Sequence, residues 1–122
     1  MQDKILVKEC LEIMQNDKIK VSLKCRIGLG KNLNYDFFEE FIDEIVKSGI
    51  KIIYVQARNA ILTGISPAQN RSIPPLDYSF VRKIKLKYPD ILFVLNGGIN
   101  SLEHIKKPVS YTHLTLPTKP KV

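Results

Sequence analysis

Ile52-Ile-Tyr-Val-Gln-Ala-Arg58 alternates two kinds of side chain. In an extended chain Ile53, Val55 and Ala57 share one face, and Ile52, Tyr54, Gln56 and Arg58 share the other. The first face is wholly apolar. The second turns polar toward its carboxyl end. Val21-Ser-Leu-Lys-Cys-Arg26 upstream has the same form, with Val21, Leu23 and Cys25 opposing Ser22, Lys24 and Arg26. So does Ile91-Leu-Phe-Val-Leu-Asn96 downstream, with Ile91, Phe93 and Leu95 opposing Leu92, Val94 and Asn96. The spacing predicts strands over 21–26, 52–57 and 91–95.

Helical patterns separate these strands. Ile5, Leu6, Cys10, Leu11 and Met14 predict a helix over 3–14. Phe37, Phe38, Phe41, Ile42, Ile45 and Val46 form a second apolar stripe, which Asn34 can cap and Gly49 can stop. Asp77 can cap a third helix reaching Tyr88, which Pro89 ends. Ser101, with Glu103 in the first turn, opens a fourth. Residues 58–76, rich in Gly, Ser, Pro and Asn, read as a long loop. The order αβαβαβα calls for a parallel sheet with right-handed crossovers.

In such a sheet the apolar faces pack against helices, and the polar ends collect at the carboxyl edge: Lys24 and Arg26, Gln56 and Arg58, and Asn96. Ligands bind at that edge in open α/β sheets and in (β/α)8 barrels. Polar residues also begin loops, but matched phase in three strands favours a site. Gly97-Gly98, after a strand and before a helix, can admit an anion to backbone N–H groups or simply make a tight turn. Gly28-Leu-Gly30 does not extend to a dinucleotide fingerprint, because position 33 is leucine. Cys10 and Cys25 both read as core thiols, and His104 as a surface residue without a metal partner.

The 122 residues make one domain's worth of chain, 44% hydrophobic and 25% charged, which excludes a disordered polymer. The longest apolar run is Ile91 to Leu95, far short of the roughly 20 residues of a membrane span. No basic-then-apolar leader opens the chain, and two cysteines make no disulfide framework. A cytoplasmic, reducing location is therefore expected, with neither membrane nor metal as a partner. The net charge of +7 suits a polyanion such as RNA. Residues 108–122 change character: they carry Pro108, Pro117 and Pro120 and no acid. Pro108 would stop the Ser101 helix after about two turns. Val109-Ser-Tyr-Thr-His-Leu-Thr-Leu-Pro-Thr118 resembles translated read-through of a sequencing adapter, so 108–122 is expected to be a non-native tail. Without its Lys119 and Lys121 the charge falls from +7 to +5.

Several segments together resemble one family. They are Val21-Ser-Leu-Lys-Cys-Arg-Ile-Gly28, Gln56-Ala-Arg58, Gly64-Ile-Ser-Pro67, Asn70-Arg-Ser-Ile-Pro-Pro-Leu-Asp-Tyr78 and Asn96-Gly-Gly-Ile99. The set resembles the tRNA-dihydrouridine synthases of the A type, over about residues 2–107. The resemblance implies an FMN-dependent (β/α)8 TIM barrel, of which this chain would be a partial barrel: strands five to seven with flanking helices. It implies reduction of D-loop uridines of tRNA, near positions 20 and 20a, with NADPH as reductant, by a monomeric parent enzyme.

Residue roles follow where the motif matches. Lys24 corresponds to a flavin contact, and Asn96, Gly97 and Gly98 to the loop that holds the FMN phosphate. Asn70 and Arg71 correspond to residues that meet the target uridine and the tRNA. Arg58 corresponds to the arginine of a His-Ala-Arg motif, and it is grouped with the tRNA contacts. Gln56 stands where that motif has histidine. Glutamine can donate and accept hydrogen bonds but cannot carry a proton as imidazolium does. Flavin contact is expected of Gln56 and an acid role is not. The family's catalytic cysteine belongs to a motif upstream of this segment, so no catalytic acid is expected here and the isolated chain should be inactive. Two other readings use the same surface: a different FMN barrel acting on a small molecule, and a non-catalytic RNA-binding fragment. The Asn70–Tyr78 signature argues against the first, and flavin binding would exclude the second.

Overall fold

The computed structural model describes residues 1–30, 33–62, 64–70, 76–99 and 102–103. Arg71, His104, His113 and the tail 108–122 lie outside the described residues, as does the Ser101 helix apart from helical Leu102 and Glu103. The elements are α1 (Lys4–Met14), β1 (Leu23–Leu29), α2 (Tyr35–Val46), β2 (Ile52–Ala60), α3 (Pro67–Asn70), α4 (Ser79–Lys87) and β3 (Leu92–Asn96).

Local chemistry sets the helix ends. Asp3 accepts from the Leu6 amide at 3.0 Å and Asn34 from the Asp36 amide at 2.8 Å, each satisfying a donor left open by the first turn. Asp77 accepts from the Ser79 amide at 2.9 Å, so it caps α4 as expected although the helix is counted from Ser79. At the far end of α4 the Lys85 ammonium donates to the carbonyls of Pro89 and Ile91 at 3.0 and 2.9 Å, where a helix carboxyl terminus favours a cation.

The three strands form one parallel sheet in the order β1-β2-β3. Leu23 pairs with Ile53 and Ile53 with Phe93; Cys25 pairs with Val55 and Val55 with Leu95. This face packs on α2 and α4. Phe38, Phe41, Ile42 and Ile45 of α2, and Phe80, Val81 and Ile84 of α4, are buried with Ile53, Val55, Ala57, Phe93 and Leu95. Each such side chain contributes about 1.5–3 kcal/mol on burial. The other face carries exposed Lys24, Tyr54 and Leu92, with Val94 buried. Helices on one side of a parallel sheet, with no described helix on the opposite face, match an arc of a (β/α)8 barrel. Among the described residues no helix is long and apolar enough to cross a membrane.

Three expectations need correction. β1 is shifted and ends at Leu29, and β2 runs on to Ala60, because the two strands resume pairing beyond a bulge, Gly28 with Asn59 and Leu29 with Ala60. The 58–76 stretch is therefore not all loop: it contains the end of β2 and the short α3. The buried side of α1 is Leu11, with Val7 packed against the core, while Ile5, Leu6, Ile13 and Met14 are more than half exposed. Cys10 is exposed and not a core thiol. The reason is placement: α1 packs on α2, reached by Lys4–Glu40 and Lys8–Glu44 ion pairs of 3.6 Å each, and its outer stripe meets no element described.

A polar cluster joins α2 to α4. Lys87 stands 2.9 Å from Asp43 and 3.4 Å from Glu39, and the Tyr88 phenol donates to Asp43. Partial burial works against ionising the Asp43 carboxyl. The hydrogen bonds from Tyr88 and Lys87 and the Lys87 charge outweigh it and hold the group below the usual carboxylate range. A depressed folded pKa adds stability above the unfolded value, about 4, that is lost as pH falls through the folded one. Asp43→Asn is therefore expected to lower stability at neutral pH and to flatten the acid limb. Urea midpoints taken from pH 7 downward check this; an unchanged acid limb would count against the cluster.

Candidate functional site at the carboxyl edge of the sheet

The register lines up the polar side chains. Lys24 pairs with Tyr54, and Tyr54 with Val94. One level nearer the carboxyl edge Arg26 pairs with Gln56, and Gln56 with Asn96. Alternation turns both rows to the uncovered face. The resulting wall has a lysine ammonium below and a guanidinium and two amides above. A cavity of about 340 Å³ straddles β1: it meets Lys24, Arg26 and Gln56 of the wall and also Leu23 and Cys25 of the other face with Val7 of α1 and Phe41 of α2. A second, of about 390 Å³, lies between Arg26, Gln56, Ile61, Leu62, Pro67 and Asn70.

The glycine turn follows β3. Gly97 and Gly98 have φ of +114° and +67°. The Gly97 carbonyl accepts from the Tyr78 phenol at 2.7 Å. Leu76 packs so closely that a Cβ on Gly98 would lie 2.1 Å from its Cδ1. Arg58 reaches the same turn, since that Cβ would stand 3.4 Å from its Nη2. The segment is stitched to the end of β2 by an Arg58–Leu76 bridge and by the Asp77 amide donating to the Ala57 carbonyl at 2.9 Å. Burial raises the Tyr78 pKa, with the Arg58 charge acting the other way, so the phenol stays protonated as a donor.

Gly98→Ala is expected to cost about 2–3 kcal/mol: roughly 1–2 for the left-handed backbone and the rest for displacing Leu76. Gly30 has φ of +81° and nothing within 4 Å of its would-be Cβ, so Gly30→Ala should show the backbone part alone. Urea denaturation of the pair checks this. Equal losses would mean that Leu76 yields freely.

Of the sequence-predicted residues, the structure brings Lys24, Gln56 and Asn96 onto one wall, and Arg58, Gly97 and Gly98 to one turn. Asn70 lines the second cavity with Arg26 and Gln56, but its side chain is committed to the backbone. Its Nδ2 donates to the Ile61 carbonyl and its Oδ1 accepts from the Ile61 amide, both at 2.8 Å. Its side chain thus braces the exit of β2. Arg71 lies outside the described residues. Sequence reasoning placed Arg26 at the carboxyl edge with Lys24 but gave it no role of its own. It missed Tyr78 and buried Asn59, whose amide donates to the Gly30 carbonyl. Asn59 continues the buried phase of Ile53, Val55 and Ala57, a signal that was lost because the strand was expected to end at Ala57.

Neither cysteine joins the wall. Cys25 packs toward the core, and burial pushes its thiol up to about 12. Cys10 is on α1. Among the described residues no three or more His, Cys, Asp or Glu side chains gather where a metal could bind. The wall does suit a flavin. A lysine ammonium and two amides can meet the acceptor atoms and the imide N–H of an isoalloxazine ring, and the exposed face leaves room for a planar ring.

Comparison with known proteins gives consistent results. The family model described as dihydrouridine synthase matches residues 1–115. A protein of Pasteurella multocida named tRNA-dihydrouridine(20/20a) synthase is 39% identical over 107 residues, 87% of this chain and 33% of its own length. One of Shewanella oneidensis with the same name is 42% identical over 115 residues, 93% of this chain and 33% of its own. One of Escherichia coli, again of that name, is 40% identical over 103 residues, 83% of this chain and 31% of its own. The chain thus spans about a third of the length of the curated relatives it matches.

Proposed function

We infer the function from one premise: the chain belongs to the dihydrouridine synthase family. The reading is that it forms part of a tRNA-dihydrouridine synthase, contributing one wall of an FMN site and the loop that meets tRNA. The observation that carries it is the register of Arg26, Gln56 and Asn96 above Lys24 and Tyr54, all on one uncovered face at the carboxyl edge.

Lys24, Gln56 and Asn96 would hold the flavin ring, and the Gly97-Gly98 turn its phosphate. FMN bound there, with NADPH as reductant, would supply hydride chemistry to the uracil ring. The chain's own residues bind and orient. Lys24 would bring a positive charge to the ring. Gln56 donates or accepts a hydrogen bond and moves no proton. Protonation of the substrate carbon falls to a residue other than Cys25, whose thiol faces the core. The uridine of a D-loop, near position 20 or 20a, must leave its stack to reach this wall, which costs a few kcal/mol. Arg71 and the surface lysines would offset part of that through phosphate contacts.

The test is made on the full-length protein that carries this segment: flavin content by absorbance, then NADPH-driven dihydrouridine formation on unmodified tRNA. Bound FMN and turnover on tRNA are expected. A flavin-free protein, or one that reduces a free pyrimidine but not tRNA, would overturn the reading.

A further inference from the structure

Arg26 stands between two parts of the site. It belongs to the flavin wall, in register with Gln56. Its guanidinium leaves that wall toward the loop: Nη1 donates to the Asn70 carbonyl at 2.7 Å and lies 3.4 Å from the Asn59 carbonyl. It is half-buried, so these bonds form where water competes poorly and a charged donor is worth more than a neutral one.

Asn70 is committed in turn. Its amide donates to the Ser66 carbonyl at 3.0 Å, closing α3. Its side chain makes the two-bond ring with the backbone of Ile61 just beyond β2. Asn70 is thereby fixed from three directions, by α3, by the exit of β2 and by Arg26 of β1. The bond from Arg26 falls on the peptide that leads into Arg71. The carbonyl of Asn70, the last described residue of α3, is thus held by a side chain of β1.

We propose that Arg26 is a positioning residue: it clamps the Asn70 carbonyl and so fixes the end of α3 and the exit of β2 against the carboxyl-edge wall, at the start of the segment read above as meeting tRNA. The proposal rests on the function inferred above for the identity of the two ligands. It gives Asn70 the part of a brace, and leaves recognition of the nucleic acid to the residues that follow. An arginine suits the task because the two hydrogens of its planar Nη1 point in fixed directions toward two carbonyls, which an ammonium on a flexible stem does poorly.

The experiment uses the full-length protein and the variants Arg26→Ala, Arg26→Lys and Asn70→Asp. The last keeps the size of the side chain but removes its donor to the Ile61 carbonyl. Four quantities are read: amide hydrogen exchange over 61–70, flavin content, and KM and kcat for tRNA. Arg26→Ala is expected to speed exchange at Ile61 and Asn70 and to raise KM for tRNA about tenfold, as loss of a charge-assisted hydrogen bond implies, with flavin content within about twofold. Arg26→Lys should fall between. Asn70→Asp should reproduce the KM effect, and the double variant should add little to either single one, since both act through one clamp. Unchanged exchange over 61–70 in Arg26→Ala would overturn the clamp. Loss of flavin with normal KM for tRNA would overturn it also, by making Arg26 a ligand of the cofactor. If the parent protein binds flavin but leaves tRNA unreduced, the inferred function fails, while the exchange result still decides whether the clamp exists.

Discussion

Phe93→Ala removes about 3–5 kcal/mol of folding free energy, whereas Leu92→Ala one residue away removes less than about 1.5. Phe93 is 1% exposed and Leu92 is 39% exposed. Phe93 lies opposite Ile53 in the sheet and within the cluster built by α2 and α4. Truncating it leaves a void that close-packed neighbours fill only in part, so the cavity adds to the lost transfer free energy. Leu92 points to the uncovered face, where water takes the vacated space. A domain of this size is held by about 5–15 kcal/mol, so the first change alone consumes much of the total. Urea unfolding of the 122-residue chain compares the two variants. Similar losses would mean that the phase of β3 is wrong or that the open face is covered in solution.

That contrast is also the part of the fold most legible in the sequence. Strict alternation in three short segments fixes which side chains face helices, whatever the exact strand ends. Leu23, Ile53, Val55, Phe93 and Leu95 lie where their phase puts them. The caps at Asn34 and Asp77 were equally readable, because each has a short acceptor side chain just before an apolar stripe. The ends of β1 and β2 were not readable. Arg58 and Asn59 are polar and read as loop, yet they continue a strand because pairing across the bulge brings Asn59 opposite Gly28. A bulge is a property of two chains held side by side, and one chain's pattern does not contain it. The outer stripe of α1 failed for a related reason: periodicity shows that a helix is amphipathic but not which element will cover it.

At the site, the grouping of Lys24, Gln56 and Asn96 on one face was legible through phase, whereas the hydrogen bonding of Asn70 was not. A motif match transfers residue identity but not hydrogen bonding. Only the geometry distinguishes an asparagine that reads a base from one whose amide is committed to the backbone of Ile61. Arg26 was hidden by its neighbour: beside Lys24, in the same phase, it looked like a second basic residue on one wall, and its reach to the Asn70 carbonyl depends on how α3 folds back.

Lys24→Ala in the full-length protein is expected to weaken FMN retention about ten- to a hundredfold, with tRNA affinity little changed, since a lost charge-assisted hydrogen bond is worth about 1.5–3 kcal/mol. Arg71→Ala is expected to do the reverse, keeping flavin and weakening tRNA binding by a similar factor. The first half follows from position. Lys24 stands one level below Gln56 on the same face, beside the place a planar ring would occupy and one level farther from the carboxyl edge than Arg26 and Gln56. The second half follows from the motif, because Arg71 succeeds the peptide that Arg26 holds, and a guanidinium fork suits planar recognition of a base or phosphate. The two ligands also differ in how they respond to salt. A tRNA contact releases counterions, so the Arg71 effect should shrink as salt rises. A single buried contact to a flavin is screened far less, and the Lys24 effect should persist. Flavin absorbance after gel filtration and tRNA affinity at two fixed salt concentrations separate the cases. If Arg71→Ala stripped the flavin while tRNA binding stayed normal, the loop would belong to the cofactor, and the likeness to tRNA-modifying relatives would extend only to the flavin barrel.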